Sequence, residues 1–115
     1  MGTPAGVTAA ASAASVEDLF REAGALLDGH FVLKSGLHSD RYLEKFLVLQ
    51  HPSLTAELGR RLAAVLTTYD PTVVVGPTTG GVLLAHEVAR ALEAEGGRPM
   101  RALFAEPVAG GRALR

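Results

Sequence analysis

Cysteine is missing from the 115-residue sequence, and its absence excludes several kinds of chemistry. A chain without cysteine has no disulfide, no thiol nucleophile and no zinc site built on thiolates. An excess of charge of one sign is also missing, because the formal net charge is only −1. This balance gives no reason to expect a nucleic acid or an anionic membrane as a partner.

Long apolar runs and a positively charged N-terminus are lacking as well. No run approaches the roughly 20 residues of a membrane helix, and the first residues do not have the charge pattern of a signal peptide. We therefore expect a cytoplasmic protein with no membrane partner. The composition that remains, with 48% hydrophobic and 20% charged residues, is typical of one globular domain at this length. Residues 1–14 are small and alanine-rich, and we expect a flexible leader there, followed by a domain at residues 15–115.

The most informative segment is a run of valines followed by threonines and glycines. Val73 to Val75 predict a strand of a parallel sheet, buried on both faces, and Pro77 ends it because proline has no N–H to donate. A four-residue loop, Thr78-Thr79-Gly80-Gly81, then leads into a helical pattern. We expect the glycines to allow positive φ and close approach of a ligand, and the helix to direct its free N–H groups at the loop. The segment predicts an anion-binding loop.

Two sharper phosphate-binding motifs do not match this segment. The P-loop requires lysine and a hydroxyl residue after its last glycine, where this chain has Val82 and Leu83. The dinucleotide-binding fingerprint fails because Pro77 and Thr78 follow Gly76. A simple strand-to-helix connector remains the alternative interpretation of the loop.

The other elements follow from periodicity and from turn residues. A capping box at Ser15–Asp18 opens a helix whose apolar spacing continues to Leu27. We then expect a strand at 30–34, a turn through 35–41, a strand-like or irregular piece at 42–49, a helix from Pro52 to about 68, a helix at 81–95 and a strand at 101–105. The last strand and helix form one βαβ unit with the valine strand, and residues 109–112 predict a flexible loop or a hairpin. Two parallel strands alone leave a sheet edge open, so the chain resembles the first part of a larger α/β domain.

Three separated motifs in this order resemble orotate phosphoribosyltransferase, a type I phosphoribosyltransferase. The motifs are Gly29-His30-Phe31-Val32-Leu33-Lys34-Ser35-Gly36-Leu37-His38-Ser39, Val74-Val75-Gly76-Pro77-Thr78-Thr79-Gly80-Gly81-Val82 and Leu103-Phe104-Ala105-Glu106. The resemblance covers residues 16–115 and implies a Rossmann-like parallel sheet with flanking helices. It also implies transfer of ribose 5-phosphate from phosphoribosyl pyrophosphate to orotate, which gives orotidine 5′-monophosphate and pyrophosphate in pyrimidine synthesis. The implied cofactor is Mg²⁺, and the implied assembly is a homodimer.

The resemblance also implies roles for individual residues. Lys34 would contact the phosphoribosyl donor near the orotate pocket, and Tyr42 and Leu43 would lie against the flat orotate ring. Thr78, Thr79, Gly80 and Gly81 would hold pyrophosphate. These assignments agree with elementary chemistry, since a cation suits an anionic donor and a helix N-terminus receives phosphate oxygens.

The chain departs from the family's pattern at several positions. Many relatives have lysine where this chain has Gly80, and Arg-Lys where it has Phe104 and Ala105. The family's mobile loop lies in this tail and reaches into the neighbouring subunit's site, so the resemblance implies that Arg112 and Arg115 supply the missing positive charge. The family's pair of acidic residues followed by a Thr/Gly loop, which binds ribose 5-phosphate, does not occur in the 115 residues.

Three hypotheses follow. The chain is the N-terminal part of a truncated orotate enzyme, inactive alone; or it is another type I phosphoribosyltransferase, or a related regulator, that handles a different base; or it is a non-catalytic fragment that binds phosphate. We identify no general base and no catalytic residue in the chain. Its four histidines do not have the spacing of a known metal-binding motif.

Overall fold

The computed structural model describes residues 14–115, so the leader predicted for residues 1–14 lies outside the described residues except at its last position. The chain divides into two compact units, one that ends at Leu54 and one that spans Thr55–Arg115. In the described part, no helix is both long enough and apolar enough to cross a membrane. Helices and strands are numbered below in chain order.

The first unit opens with helix α1, Val16–Glu22, and the predicted capping box is confirmed. The Ser15 hydroxyl accepts a hydrogen bond from the Asp18 amide at 3.0 Å, and the Asp18 carboxylate accepts one from the Ser15 amide at 3.3 Å. Leu19 anchors the helix because its side chain is fully buried. Hydrogen bonds to Glu17 and Asp28 raise the pKa of Arg21 above its ordinary value.

The predicted extension of α1 to Leu27 is wrong. Gly24 has φ +71°, and the Ala25 and Gly24 amides donate to the Phe20 and Arg21 carbonyls at 2.8 and 3.0 Å. These two hydrogen bonds form a Schellman motif, which satisfies the last carbonyls of the helix and ends it. Leu26 therefore begins a strand instead.

Strand β1, Leu26–Val32, pairs antiparallel with β2, His38–Leu43. The register joins Leu26 to Leu43 and Val32 to His38, with a bulge between Asp28 and Phe31. The boundaries predicted here, a strand at 30–34 and a turn through 35–41, are wrong because the turn is shorter. The Leu33 amide donates to the Leu37 carbonyl at 2.8 Å, so β2 begins at His38, the residue after Leu37.

The strand-like piece predicted at 42–49 is also wrong beyond Leu43. Phe46–Leu49 form a short helix, α2, in which Val48 is fully buried. Helix α3, Pro52–Leu66, begins at the predicted proline and continues into a 3₁₀ turn at Thr67–Tyr69. The boundary between the two units falls within the first turn of α3.

The second unit contains the predicted βαβ arrangement. Strand β3, Val73–Pro77, leads through the Thr-Gly loop to helix α4, Gly80–Gly96, and to strand β4, Arg101–Val108. Strands β3 and β4 are parallel, with Val73 opposite Arg101 and Pro77 opposite Ala105. Helix α4 ends at Gly97, which has φ +68°.

A third strand, β5, Gly111–Leu114, pairs antiparallel with β4 through a turn at Ala109 and Gly110. Of the two predictions for residues 109–112, the hairpin is confirmed. The sheet order is β3-β4-β5, so the expectation of only two strands is corrected by the addition of β5.

The core of the second unit lies on one face of this sheet. Ala63 of α3 and Val88 and Leu92 of α4 are buried together, and Val74 packs against them. Side chains alternate along a strand, so Val75 points to the other face, where it is 42% exposed. The prediction that β3 is buried on both faces is therefore wrong.

Candidate functional site

The loop between β3 and α4 is built around a very close approach of strand and helix. A Cβ atom at Gly76 would overlap the Gly81 carbonyl group and lie 2.8 Å from the Ala85 methyl. A Cβ atom at Gly81 would lie 2.6 Å from Cδ of Pro77. Glycine at both positions allows the first turn of α4 to rest directly on the end of β3.

This arrangement corrects the expected role of the two loop glycines. Neither Gly80 nor Gly81 has positive φ, and both belong to the first turn of α4. Thr79 is the N-cap residue, but its side chain makes no capping hydrogen bond. The peptide bond between Thr78 and Thr79 is cis.

The amides of the loop are partly engaged within the protein. The Thr78 amide donates to the Ala105 carbonyl at 3.0 Å, and the Val82 amide donates to the Thr79 carbonyl at 3.2 Å. Among residues 14–115, no hydrogen bond satisfies the amides of Thr79, Gly80 and Gly81. These three donors, at the positive end of a 17-residue helix, form a group that an anion can bind.

Arg112 brings a positive charge to this loop. Its Nη1 atom donates to the Ala105 carbonyl at 2.9 Å and lies 3.3 Å from Oγ1 of Thr78. The Ala105 carbonyl therefore accepts hydrogen bonds from both the Thr78 amide and Arg112. These two hydrogen bonds connect β4, the β4–β5 hairpin and the loop. The sequence placed Arg112 near pyrophosphate, but only the strand register shows which loop atoms it meets.

Arg115, the second cation expected at the site, is bound elsewhere. Its Nε atom donates to the Glu106 carboxylate at 2.6 Å, and its backbone pairs with Phe104. This ion pair connects β4 with the residue that follows β5. Its charge is therefore balanced by Glu106.

The remaining predicted site residues belong to the first unit. Lys34 lies exposed in the turn between β1 and β2. Tyr42 is 42% exposed, and its ring centroid lies 5.5 Å from that of Phe31. Leu43, at the end of β2, is 50% exposed. Tyr42 and Leu43 thus expose apolar surface. A residue needs such surface to contact a flat ring.

The larger cavities of the second unit lie away from the loop. One of about 300 Å³ is lined by Thr67, Asp70 and Arg98, near the amino ends of β3 and β4. Another, of about 380 Å³, is lined by residues such as His86, Arg90 and Met100. Thr78–Gly81 line neither of these cavities, and within the loop Thr79 is exposed whereas Gly80 is buried.

The described residues do not form a resident site for Mg²⁺. Within residues 14–115 no three histidine, aspartate or glutamate side chains come together in a group that could hold a metal ion. Mg²⁺ sites that use few protein ligands depend on substrate phosphates and water for the rest of the coordination shell.

The signal that sequence reasoning overlooked is Gly76. A glycine just before the proline that ends a buried strand indicates a position where another backbone approaches closely. Gly59 of α3 is a second glycine at a close approach, because an added Cβ atom there would lie 2.7 Å from Cβ of Glu87.

Comparison with known proteins gives consistent relatives. The chain is 49% identical over 102 residues to the orotate phosphoribosyltransferase of Heliobacterium modesticaldum and 41% identical over 100 residues to that of Thermotoga maritima. Each match covers 87% of this chain and 50% of the relative, so the chain spans about half the length of these curated relatives. No protein-family model matches the chain.

Solved structures agree with the sequence relatives. Mycobacterium tuberculosis orotate phosphoribosyltransferase, in complex with Fe(III) dicitrate, superposes with a TM-score of 0.64 at 25% identity, over 95% of this chain and 59% of that one. The Francisella tularensis enzyme superposes with the same TM-score at 21% identity, over 89% and 50% of the two chains, which shows the fold alone. The α/β architecture of the chain is therefore that of the phosphoribosyltransferases.

Proposed function

We propose that this chain, which is related to orotate phosphoribosyltransferases over about half of their length, forms the part of such an enzyme that binds the diphosphate group of phosphoribosyl pyrophosphate. The complete reaction would transfer ribose 5-phosphate to orotate and give orotidine 5′-monophosphate and pyrophosphate in pyrimidine synthesis. The observation that carries the proposal is the loop at Thr78–Gly81, with three amides free of protein partners in the described residues and the Arg112 guanidinium beside it.

The chemistry follows from where negative charge develops. In a displacement at the anomeric carbon, the departing diphosphate gains charge as its bond to carbon breaks. Fixed amides and a guanidinium stabilise that charge without reorganising, which lowers the barrier more than it stabilises the substrate. Arg112 would exchange its contacts with Thr78 and Ala105 for phosphate oxygens, since charge-assisted bidentate pairs are the stronger hydrogen bonds.

The other assignments rest on the relatives. Lys34 would contact the phosphoribosyl donor, Tyr42 and Leu43 would contact the orotate ring, and Arg115 would add charge only after leaving Glu106. We propose Mg²⁺ as the cofactor, and it would enter with the diphosphate because the described residues offer no resident site. A cytoplasmic homodimer is proposed on the same grounds. In the single chain, Arg112 lies against its own Thr78.

One alternative has an observation in its favour. The acidic pair and Thr/Gly loop that would bind ribose 5-phosphate do not occur in the sequence, so the chain alone could bind phosphate without catalysing transfer. A second alternative, a related transferase or regulator that handles another base, predicts a different ligand. Binding of orotate in preference to hypoxanthine or uracil separates it from the proposal.

The proposal is tested by titrating the whole chain with phosphoribosyl pyrophosphate and with pyrophosphate in a calorimeter. Arg112→Gln removes a charged donor, worth about 1.5–3 kcal/mol, and should weaken binding roughly tenfold or more. Arg101→Gln removes the same charge at the opposite end of β4 and should leave binding unchanged. Absence of binding by the unchanged chain, or equal loss in both variants, would contradict the proposal.

A further inference from the structure

Two of the four histidines meet on the β1–β2 hairpin, at a place that the proposed reaction does not use. His30 lies within the bulge of β1, between Asp28 and Phe31, and His38 begins β2 opposite Val32. Eight positions separate them in the chain, which is not a recognised metal-binding spacing. The antiparallel pairing brings them together across the turn.

The contact between the two rings is through nitrogen atoms. Nε2 of His30 lies 2.7 Å from Nδ1 of His38, the ring centroids are 4.8 Å apart, and the ring planes are inclined by 66°. Two lone pairs cannot face each other at this distance, so one ring supplies a proton and the other accepts it. The hairpin therefore holds two imidazole nitrogens within hydrogen-bonding distance of each other.

We propose that His30 and His38 form a two-nitrogen binding site for a divalent transition metal ion, for which Zn²⁺ is the natural probe. A metal ion would replace the shared proton, so that both nitrogens donate to it. In tetrahedral coordination with Zn–N bonds of 2.0–2.1 Å, two ligand nitrogens lie about 3.3 Å apart. To reach this separation, the two exposed rings would move apart by about 0.6 Å and turn their nitrogens away from each other toward the ion.

The surroundings leave room for the remaining ligands. A cavity of about 210 Å³ is lined by Gly29, His30, His38, Ser39 and Asp40. No group of three protein ligands is in place among the described residues, so water would complete the coordination. Two imidazoles with water favour zinc, nickel or copper over magnesium, which prefers oxygen ligands.

The site is tested by calorimetric titration of the whole 115-residue chain with Zn²⁺. The unchanged chain should bind one equivalent, and both His30→Gln and His38→Gln should weaken binding at least tenfold. His86→Gln, on α4, removes a histidine outside the hairpin and should leave the affinity unchanged. Mg²⁺ should produce no saturable binding at the pair.

A second measurement does not depend on the variants. The imidazole signals of His30 and His38 should be the ones that shift in the NMR spectrum of the unchanged chain when Zn²⁺ is added. Loss of binding in His86→Gln, equal binding in all variants, or shifts confined to other residues would overturn the proposal. So would the absence of saturable Zn²⁺ binding, which would leave only a hydrogen-bonded histidine pair.

Discussion

Gly76 and Gly81 determine how closely the end of β3 can approach the first turn of α4. At each of these positions, an added Cβ atom would overlap backbone or ring atoms of the opposite segment. Because the free amides of Thr79, Gly80 and Gly81 lie at this junction, the packing of two glycines also determines where an anion could bind. The same residues thus serve the fold and the proposed site together.

Replacement of Gly76 by alanine should be strongly destabilising. The added Cβ would overlap the Gly81 carbonyl, and neither backbone can move without separating β3 from α4. Overpacking of this kind costs about 1–3 kcal/mol or more. The free energy of unfolding, measured with urea, provides the test.

Gly96→Ala is the matched control for this substitution. Gly96 ends α4, has no heavy atom within 4 Å of the added Cβ and does not have positive φ. Alanine should stabilise the chain there by roughly 0.5–1 kcal/mol, because it restricts the unfolded chain. Similar destabilisation by both variants would show that the loss of stability at Gly76 does not arise from the strand–helix contact.

At the scale of the elements, helix α1 shows how one side chain fixes a helix terminus. Ser15→Ala removes the acceptor of the Asp18 amide and should lower stability by about 1 kcal/mol. Ser15→Asp keeps an acceptor at the N-cap and should retain most of the stability. Hydrogen exchange of the α1 amides measures the effect directly, and unchanged protection in Ser15→Ala would contradict it.

The elements that depend on local signals were predictable, and those that depend on pairing were not. Caps, apolar spacing and glycines in the neighbouring sequence predicted the start of α1, the start of α3 at Pro52 and the βαβ unit. The sequence of β2 is polar and largely exposed, so only its pairing with β1 makes it a strand. Leu26 and Leu27 continue the helical spacing of α1, yet Gly24 ends the helix before them.

The candidate site follows the same division. The sequence identified the Thr-Gly loop and a compensating arginine, because their residue types carry the chemistry. It could not distinguish Arg112 from Arg115, since the β4–β5 register decides that one meets Thr78 and the other Glu106. It also could not bring His30 and His38 together, because their contact depends on the hairpin register and the β1 bulge.

At the scale of the whole molecule, the 115-residue chain should bind phosphoribosyl pyrophosphate without converting orotate. The loop at Thr78–Gly81 would bind only the diphosphate. The 115 residues contain no acidic pair with a Thr/Gly loop to bind the ribose phosphate. Without that group, the anomeric carbon is not positioned for attack, and positioning supplies much of the rate in such reactions. Chromatographic assay for orotidine 5′-monophosphate is the measurement, and product above the protein-free control would contradict the prediction.

The sheet of the second unit should also make the chain self-associate. In the described residues, β3 lies at one edge of the three-stranded sheet, and Val75 on it is 42% exposed. An edge strand with exposed apolar side chains pairs readily with another chain, whereas a charged side chain on the edge opposes pairing. Val75→Lys should therefore raise the fraction of monomer in light scattering after size-exclusion chromatography. Val108→Lys, at a comparably exposed valine beside the β4–β5 turn, should raise it less, because Val108 lies away from the β3 edge and pairs with Gly111. A monodisperse monomer of the unchanged chain at high concentration would show that the β3 edge is already protected.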